Sequence, residues 1–332
     1  MKKKRNQKGM ISVLLAMVIL GIFLISGMMT YAVSSGRLPL HAKKAEIAEA
    51  HALEVSSNSA SSAENETSTP ETSASTTETS SAEEAVETKD PAQLAPGKNH
   101  NDAASEYAYS TAEVRGIING EISYEGPRVC FLTFDDGANG VITPKILDIL
   151  KAESVPATFF VVGKEVGEAM RPVLTREIQE GNAIGIHSFN HDYGLLYPNG
   201  TANPGQIKKE AIQTQTALKT LFGDDFQTNV WRYPGGHMSF SNMKAADAAL
   251  AESGMEWIDW DAMTGDAEPA SRRPKNAQEA VAFQEKSMAV YPDNQMRVVL
   301  MHDAEDKNIT VEALPQIIEF YRQNGYTFGV LE

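Results

Sequence analysis

The stretch Val-Cys-Phe-Leu-Thr-Phe-Asp-Asp-Gly at positions 129–137 decides the fold of this chain. Its first six residues are almost wholly apolar and do not alternate, which is typical of a strand buried on both faces of a parallel sheet. Two carboxylates and a glycine follow at once. Functional groups of parallel α/β folds collect at the C-terminal ends of the strands, so Asp135 and Asp136 are candidates for chemistry. By itself, Asp-Asp-Gly is also typical of a turn or a helix N-cap.

Outward from this strand, strand-like and helix-like segments alternate. Six further runs predict strands, at 157–162, 183–187, 229–233, 256–261, 297–302 and 326–331. Helical spacing between them predicts helices such as 206–222 and 311–324, each followed by a glycine that suits a C-cap. The pattern predicts an α/β domain of seven parallel strands with helical crossovers. Both a closed barrel and an open doubly wound sheet are compatible with it.

Polar side chains also stand at the ends of the other predicted strands. His187 and His191 lie four residues apart, so that both imidazoles and one carboxylate can converge on a metal ion. Arg232 is placed to keep a carboxylate ionised. His302 suits a general acid, with a carboxylate such as Asp266 fixing its tautomer. Each residue alone has an ordinary structural explanation, but three of the four histidines in 106–332 stand at strand ends.

These segments resemble the polysaccharide deacetylase family, the NodB-homology domain of carbohydrate esterase family 4. The resemblance covers residues 126–332 and is closest to membrane-anchored peptidoglycan N-acetylglucosamine deacetylases. It implies a distorted (β/α) barrel of about seven parallel strands. The matching segments, in chain order, are Thr-Phe-Asp-Asp-Gly at 133–137, His-Ser-Phe-Asn-His at 187–191, Arg-Tyr-Pro-Gly at 232–235, a stretch ending at Asp266, and Leu-Met-His at 300–302.

The resemblance also implies a role for each matching residue. Three would bind a divalent metal, Zn²⁺ fitting best and Co²⁺ or Ni²⁺ able to substitute: Asp136, His187 and His191. Four would carry catalysis: Asp135 as the base for the attacking water, Arg232 as its orienting partner, His302 as the acid, and Asp266 as the residue that tunes His302. Three would contact substrate: Gly235 through its N–H at the oxyanion, Tyr233 beside it, and Leu300 at the acetyl methyl.

The resemblance implies hydrolysis of N-acetyl groups on cell-wall glycan, most closely N-acetylglucosamine of peptidoglycan, with release of acetate. Two positions depart from the family pattern: Met263 stands where an aspartate is usual, and Ala267 where a tryptophan is common. Chitin, an exopolysaccharide or acetylated xylan are alternative substrates. A non-catalytic glycan-binding module and a surface protein whose stalk is the functional part are alternatives from other classes.

The N-terminal sequence predicts a segment that inserts into the membrane. Residues 1–40 hold six basic residues and no acidic one, and positions 10–33 form an uncharged run of 24 residues. That run is long enough to span a bilayer, whereas a cleaved signal peptide usually has a shorter apolar region. We therefore predict a cytoplasmic tail at 1–9, a transmembrane signal anchor at 10–33, and an extracellular remainder, as in a Gram-positive bacterium.

Composition separates the rest of the chain into a spacer and a folded domain. Residues 34–105 contain no aromatic residue and are rich in Ser, Thr, Ala and Glu, which predicts a disordered spacer before a deacetylase domain at 106–332. The net charge of −15 argues against nucleic acid as a partner, and the single cysteine excludes an intramolecular disulfide. The expected partners are cell-wall polysaccharide and the membrane; no protein partner is implied.

Overall fold

The computed structural model describes residues 90 and 92–332. The predicted cytoplasmic tail, the predicted transmembrane helix and most of the predicted spacer lie outside the described residues. Among the helices that are described, none is both long and apolar enough to cross a membrane.

Most of the strands form one curved parallel sheet. In chain order the strands are β1 (Ala108–Tyr109), β2 (Val129–Asp135), β3 (Ala157–Val161), β4 (Ala183–Ile186), β5 (Val230–Trp231), β6 (Glu256–Trp257), β7 (Ala262–Met263), β8 (Met296–His302), β9 (Thr327–Phe328) and β10 (Val330–Leu331). The main sheet has the order β6-β5-β4-β3-β2-β8-β7, with β9 paired to the start of β2, and β1 pairs with β10 separately. Every pairing between these strands is parallel, as the sequence predicts.

Helices connect these strands. They are α1 (Thr111–Ile118), α2 (Thr143–Glu153), α3 (Arg171–Gln179), α4 (Tyr193–Leu196), α5 (Pro204–Phe222), α6 (Met243–Ala251), α7 (Ala277–Met288) and α8 (Asn308–Gln323). Helix α5 shows how local sequence sets the bounds. The Asn203 side chain caps its start by accepting from the Gln206 N–H, and Gly223, with φ +95°, ends it.

Two predicted strands differ from the observed ones, and one of these differences shapes the sheet. The segment 256–261 contains only β6, and β7 begins directly after it, although β6 and β7 lie at opposite ends of the strand order. The chain makes five Cα-to-Cα steps from the end of β6 to the start of β7 and so reaches about 18 Å at most. The sheet must therefore curl until its two edges are close, which produces the incomplete barrel of seven strands. The segment 326–331 is divided between β9 and β10, which pair with different strands.

Alternation along the strands separates two hydrophobic clusters. Cys130, Leu132 and Phe134 of β2 belong to the cluster that includes α2 and α8, whereas Val129 and Phe131 belong to the cluster inside the barrel. Since side chains alternate between faces, the inner face of β2 continues through Thr133 to Asp135. The same alternation on β8 carries the inner face to its C-terminal residue, His302. The packing of the barrel therefore aims both residues at its mouth.

The folded part begins earlier than the sequence predicts. Residues 92–105 were expected to be spacer, yet Asn99, His100, Asn101 and Ala104 are buried. The Asn99 amide donates to the carbonyl oxygens of Ile184 and Leu331. We call residues 92–107 the N-terminal strap. Composition does not predict that the strap is folded, because it contains few apolar residues. Polar side chains hold it to the barrel through hydrogen bonds to backbone.

Candidate active site

Three side chains of the types that bind metals meet at the mouth of the barrel. One ligand atom from each of Asp136, His187 and His191 lies within 4.8 Å of the other two. The Nε2 atom of His187 lies 3.7 Å from Asp136 Oδ1, and the Nε2 atom of His191 lies 3.3 Å from the same oxygen. The Nδ1 atom of His187 is 3.0 Å from the Arg232 carbonyl oxygen, which leaves Nε2 facing the carboxylate. We call these three residues the Asp-His-His triad.

Electrostatics prepare the triad for a cation. Burial lowers the pKa of His187 to about 4, so the imidazole is neutral at pH 7 with a lone pair available. Burial alone would raise the pKa of Asp136, but the nearby histidines His191, His302 and His187 outweigh it and lower that pKa to about 2. One carboxylate and two imidazoles form a donor set that suits Zn²⁺ and leaves coordination positions open.

The backbone that presents the triad is unusual in conformation and firmly held. Asp136, Ser188 and His191 all have positive φ values, of 81°, 66° and 56°, which cost energy for residues other than glycine. Helix α5 secures the loop between the two histidines, because the Glu210 carboxylate accepts hydrogen bonds from the N–H groups of Phe189 and Asn190. Glu210 was not predicted from the sequence. The signal that could have revealed it is a glutamate on the apolar face of a helix.

Asp135 lies beside the triad and is held by Arg232. The guanidinium of Arg232 donates to Asp135 Oδ1 at 2.9 Å and to Thr133 Oγ1 at 2.6 Å. Its carbon atom also lies 4.0 Å from the centre of the Phe160 ring. The second oxygen of Asp135 is 3.8 Å from His187 Nε2, so this carboxylate lies next to the predicted metal position with its orientation fixed.

His302 and Asp266 form a buried pair on the other side of the mouth. His302 Nδ1 is 2.9 Å from one oxygen of Asp266, while the other oxygen accepts from the His302 N–H and the Thr310 hydroxyl. Burial opposes the charge on His302, but the Asp266 carboxylate outweighs it and raises the pKa of the imidazole to about 9. The same pairing lowers the pKa of Asp266 despite its burial. His302 therefore carries a proton that it can donate through Nε2.

The arginine motif brings a backbone donor to the site. Gly235 has φ +76°, and its N–H group has no hydrogen-bond partner among the residues that the structure describes. Tyr233, in contrast, does not support the predicted substrate contact. Its side chain is fully buried and its hydroxyl donates to Asp247 of α6. Alternation explains this correction, because Arg232 faces the barrel interior and the next residue must face the helices.

An apolar wall lies below His302. Leu300 is buried on the inner face of β8, two residues before His302, and its ladder partner on β7 is Met263. Paired residues of neighbouring strands project to the same face, so the methionine that departs from the family pattern adds apolar surface beside Leu300. Ala267 follows Asp266 directly and is half-buried.

A further carboxyl group supports the Asp-Asp-Gly turn and was not predicted. Asp303 is fully buried; its N–H donates to the Asp135 carbonyl oxygen, and its Oδ2 accepts from the Thr143 hydroxyl at 2.5 Å. Its carboxylate occupies the space that a Cβ at Gly137 would need, which explains the glycine after the two aspartates. Burial raises the pKa of Asp303 to about 7, with the charges of Asp136 and Asp135 adding to the effect.

Comparisons with known proteins show which proteins this chain is similar to. A sequence profile described as polysaccharide deacetylase matches residues 123–255. The structure of a Streptococcus mutans CE4 esterase aligns with a TM-score of 0.70 and 48% identity, over 73% of this chain and 100% of the esterase chain. A Bacillus cereus peptidoglycan-N-acetylglucosamine deacetylase is 30% identical over 60% of this chain and 68% of that protein. A Pseudobutyrivibrio xylanivorans bifunctional xylanase/deacetylase is 29% identical over 63% of this chain, but the match spans only 31% of that protein.

The chain belongs to the polysaccharide deacetylase family, carbohydrate esterase family 4, and is a hydrolase of that family.

Proposed function

We propose that this protein removes N-acetyl groups from N-acetylglucosamine residues of peptidoglycan in a metal-dependent reaction and releases acetate. The observation that carries the proposal is the meeting of the Asp-His-His triad with two proton-transfer groups, Asp135 and His302, at one barrel mouth. The choice of peptidoglycan is supported by the similarity to the Bacillus cereus enzyme.

The triad fits a divalent metal, with Asp136, His187 and His191 as its ligands and Zn²⁺ as the ion that this donor set favours, Co²⁺ or Ni²⁺ being able to substitute. A bound cation would polarise the acetamide carbonyl and lower the pKa of the attacking water. The chain's own residues supply the proton transfers and the alignment of the substrate.

Asp135 is the base that takes the proton of the attacking water, and the hydrogen bond from Arg232 keeps its carboxylate oriented. The N–H of Gly235 donates to the oxygen that becomes negatively charged during attack. His302 gives its proton to the departing nitrogen while Asp266 stabilises the imidazolium. The wall formed by Leu300 and Met263 accommodates the acetyl methyl. Breakdown then yields acetate and a free amine on the sugar.

We further propose that residues 10–33 anchor the protein in the cell membrane and residues 34–91 form a spacer that extends toward the wall. The basic N-terminal tail, the 24-residue uncharged run and the Ser/Thr/Ala/Glu-rich composition support this arrangement. The catalytic domain would then act outside the membrane on wall polysaccharide, as in a Gram-positive bacterium.

Acetate release tests the proposed substrate. The purified protein is offered peptidoglycan, chitooligosaccharide and acetylated xylan in parallel, with Zn²⁺ present, and acetate is quantified. The proposal expects release from peptidoglycan at the highest kcat/KM. Release from chitin or xylan alone would keep the chemistry and contradict the substrate. A folded, zinc-loaded protein that releases acetate from none of the three would contradict the enzymatic proposal and favour a glycan-binding module.

A further inference from the structure

The ring of Tyr193 spans the distance between the triad and the oxyanion donor. Tyr193 is the first residue of α4, and its ring meets the His191 ring edge-on with 5.4 Å between centroids. At its other end, a Cβ built on Gly235 would lie 3.0 Å from Tyr193 Cε1 and 3.1 Å from its Oη. The phenol therefore lies over Gly235 and occupies the space that a side chain there would fill.

The position of the Tyr193 ring is fixed by its surroundings. The Asp192 carboxylate caps α4 by accepting from the N–H groups of Gly194 and Leu195. The ring packs against Tyr197 and Phe240, at centroid distances of 5.8 and 6.0 Å. Tyr197 and Phe240 in turn stack on each other at 3.6 Å. The hydroxyl of Tyr193 is thus held in place before any substrate binds.

The hydroxyl of Tyr193 has no protein partner among the residues that the structure describes, and the adjacent Gly235 N–H has none either. A tyrosine hydroxyl in a mostly buried position normally finds a hydrogen-bond partner. Two donors without protein acceptors lie side by side next to the triad. A substrate oxygen placed against the Gly235 N–H would therefore lie within reach of the phenol as well.

We propose that Tyr193 is a catalytic residue whose hydroxyl donates a second hydrogen bond, beside that of Gly235, to the acetamide oxygen of the substrate. The inference rests on the proposed function and adds a residue to its oxyanion site. Because the charge on this oxygen grows during attack, a fixed donor stabilises the transition state more than the bound substrate.

Tyr193→Phe tests the role, because it keeps the ring and its packing and removes only the hydroxyl. Tyr197→Phe is the matched control: it makes the same change four residues along, at a buried ring whose hydroxyl also has no partner. With zinc-loaded protein and peptidoglycan, we expect Tyr193→Phe to lower kcat about 10- to 100-fold with KM changed less than about threefold. Tyr197→Phe should leave both constants within about twofold.

Acetate affinity provides a readout that does not require turnover. Acetate carries a charged oxygen where the tetrahedral species would have one, so Tyr193→Phe should raise the acetate Kd of the zinc-loaded protein about tenfold, measured by calorimetry. An unchanged kcat with an unchanged acetate Kd would overturn the proposal, and so would a raised KM at normal kcat. If the wild type released no acetate from any glycan, the proposed function would fail, while a raised acetate Kd would still support the Tyr193 donor.

Discussion

The guanidinium Nη1 of Arg232 lies 2.9 Å from Asp135 Oδ1, and both side chains are almost completely buried. Arg232 contacts one oxygen of the Asp135 carboxylate, and the other oxygen faces His187 of the triad. Asp135 is the last residue of β2 and Arg232 follows β5 directly. Because side chains alternate between the two faces of a strand, both residues face the inside of the barrel. A second buried pair, Arg297 with Asp261 at 3.1 Å, involves the β8 residue that pairs with Cys130 near the opposite end of β2.

Arg232→Lys is expected to lower kcat about 100-fold, because an ammonium cannot hold Asp135 and Thr133 with the planar geometry of a guanidinium. Arg297→Lys is the matched control for the loss of a buried arginine. Both variants should lower the free energy of unfolding, by about 3 kcal/mol at most for a pair that keeps its charge. Chemical denaturation and steady-state kinetics separate the effects. Equal losses of kcat in the two variants would contradict a specific role for Arg232.

The pH dependence of activity should report the His302–Asp266 pair. His302 must hold a proton to donate it, so its pKa of about 9 extends activity to alkaline pH and activity falls above that value. Asp266→Asn removes the charge that raises this pKa, so the alkaline limb of kcat/KM should move to lower pH by at least about one unit. Thr310→Val, which removes one hydrogen bond to Asp266, should move it less. A limb at the same pH in all three proteins would argue against His302 as the acid.

Glu177 should make the stability of the domain depend on pH. It is fully buried on α3, and neither carboxylate oxygen has a hydrogen-bond partner among the described residues. Burial, and after it the charge of Asp303, raises the pKa of Glu177 well above its ordinary value. The folded protein therefore holds this proton more tightly than the unfolded chain does. Stability is lost as pH rises above the unfolded value of about 4.5, at about 1.4 kcal/mol per pH unit, until the folded pKa is reached.

Glu177→Gln removes that ionisation and should raise the melting temperature more at pH 8 than at pH 5. The gain corresponds to about 2–4 °C for each kcal/mol in a domain of this size. Glu312→Gln, at an exposed position of α8, controls for the change in net charge. A Glu177→Gln gain of the same size at both pH values would contradict an unfavourable buried charge.

The N-terminal strap should contribute to the stability of the domain, although its composition predicts a spacer. Asn99→Ala removes two hydrogen bonds to buried carbonyl oxygens on β4 and β10, and we expect a loss of about 2–4 kcal/mol in the free energy of unfolding. Gln93→Ala, at an exposed position of the same segment, should change stability by less than about 0.5 kcal/mol. Denaturant titration of both variants measures this. Equal stability of the Asn99 variant and the wild type would show that the strap is dispensable.

Sequence patterns were sufficient for the parallel strands and for the end of the barrel at which the candidate site residues lie. Runs such as 129–134 are buried on both faces, which indicates strands of a parallel sheet. The C-terminal ends of such strands meet at one mouth of the barrel, where Asp136, His187 and His302 lie. The strap was missed because it is held by polar side chains bonded to backbone, which leave no hydrophobic pattern.

The supporting residues were harder to predict for a different reason. Glu210 and Asp303 act through contacts between segments that are distant in sequence, and the contacts themselves leave no sequence pattern, although the place of Glu210 on the apolar face of α5 is a signal that it is buried for a reason. Tyr233 was misassigned because its neighbour Arg232 faces the barrel interior. A residue next to a functional one on a strand faces the opposite side.

Metal dependence of acetate release tests the central claim most directly. The purified protein is stripped with a chelator, its zinc content is measured, and acetate release from peptidoglycan is followed as Zn²⁺ is returned. We predict no release without metal and full recovery at about one Zn²⁺ per chain, with His187→Ala requiring far more Zn²⁺ for the same rate. Acetate release at an undiminished rate by protein shown to contain no metal would contradict the account.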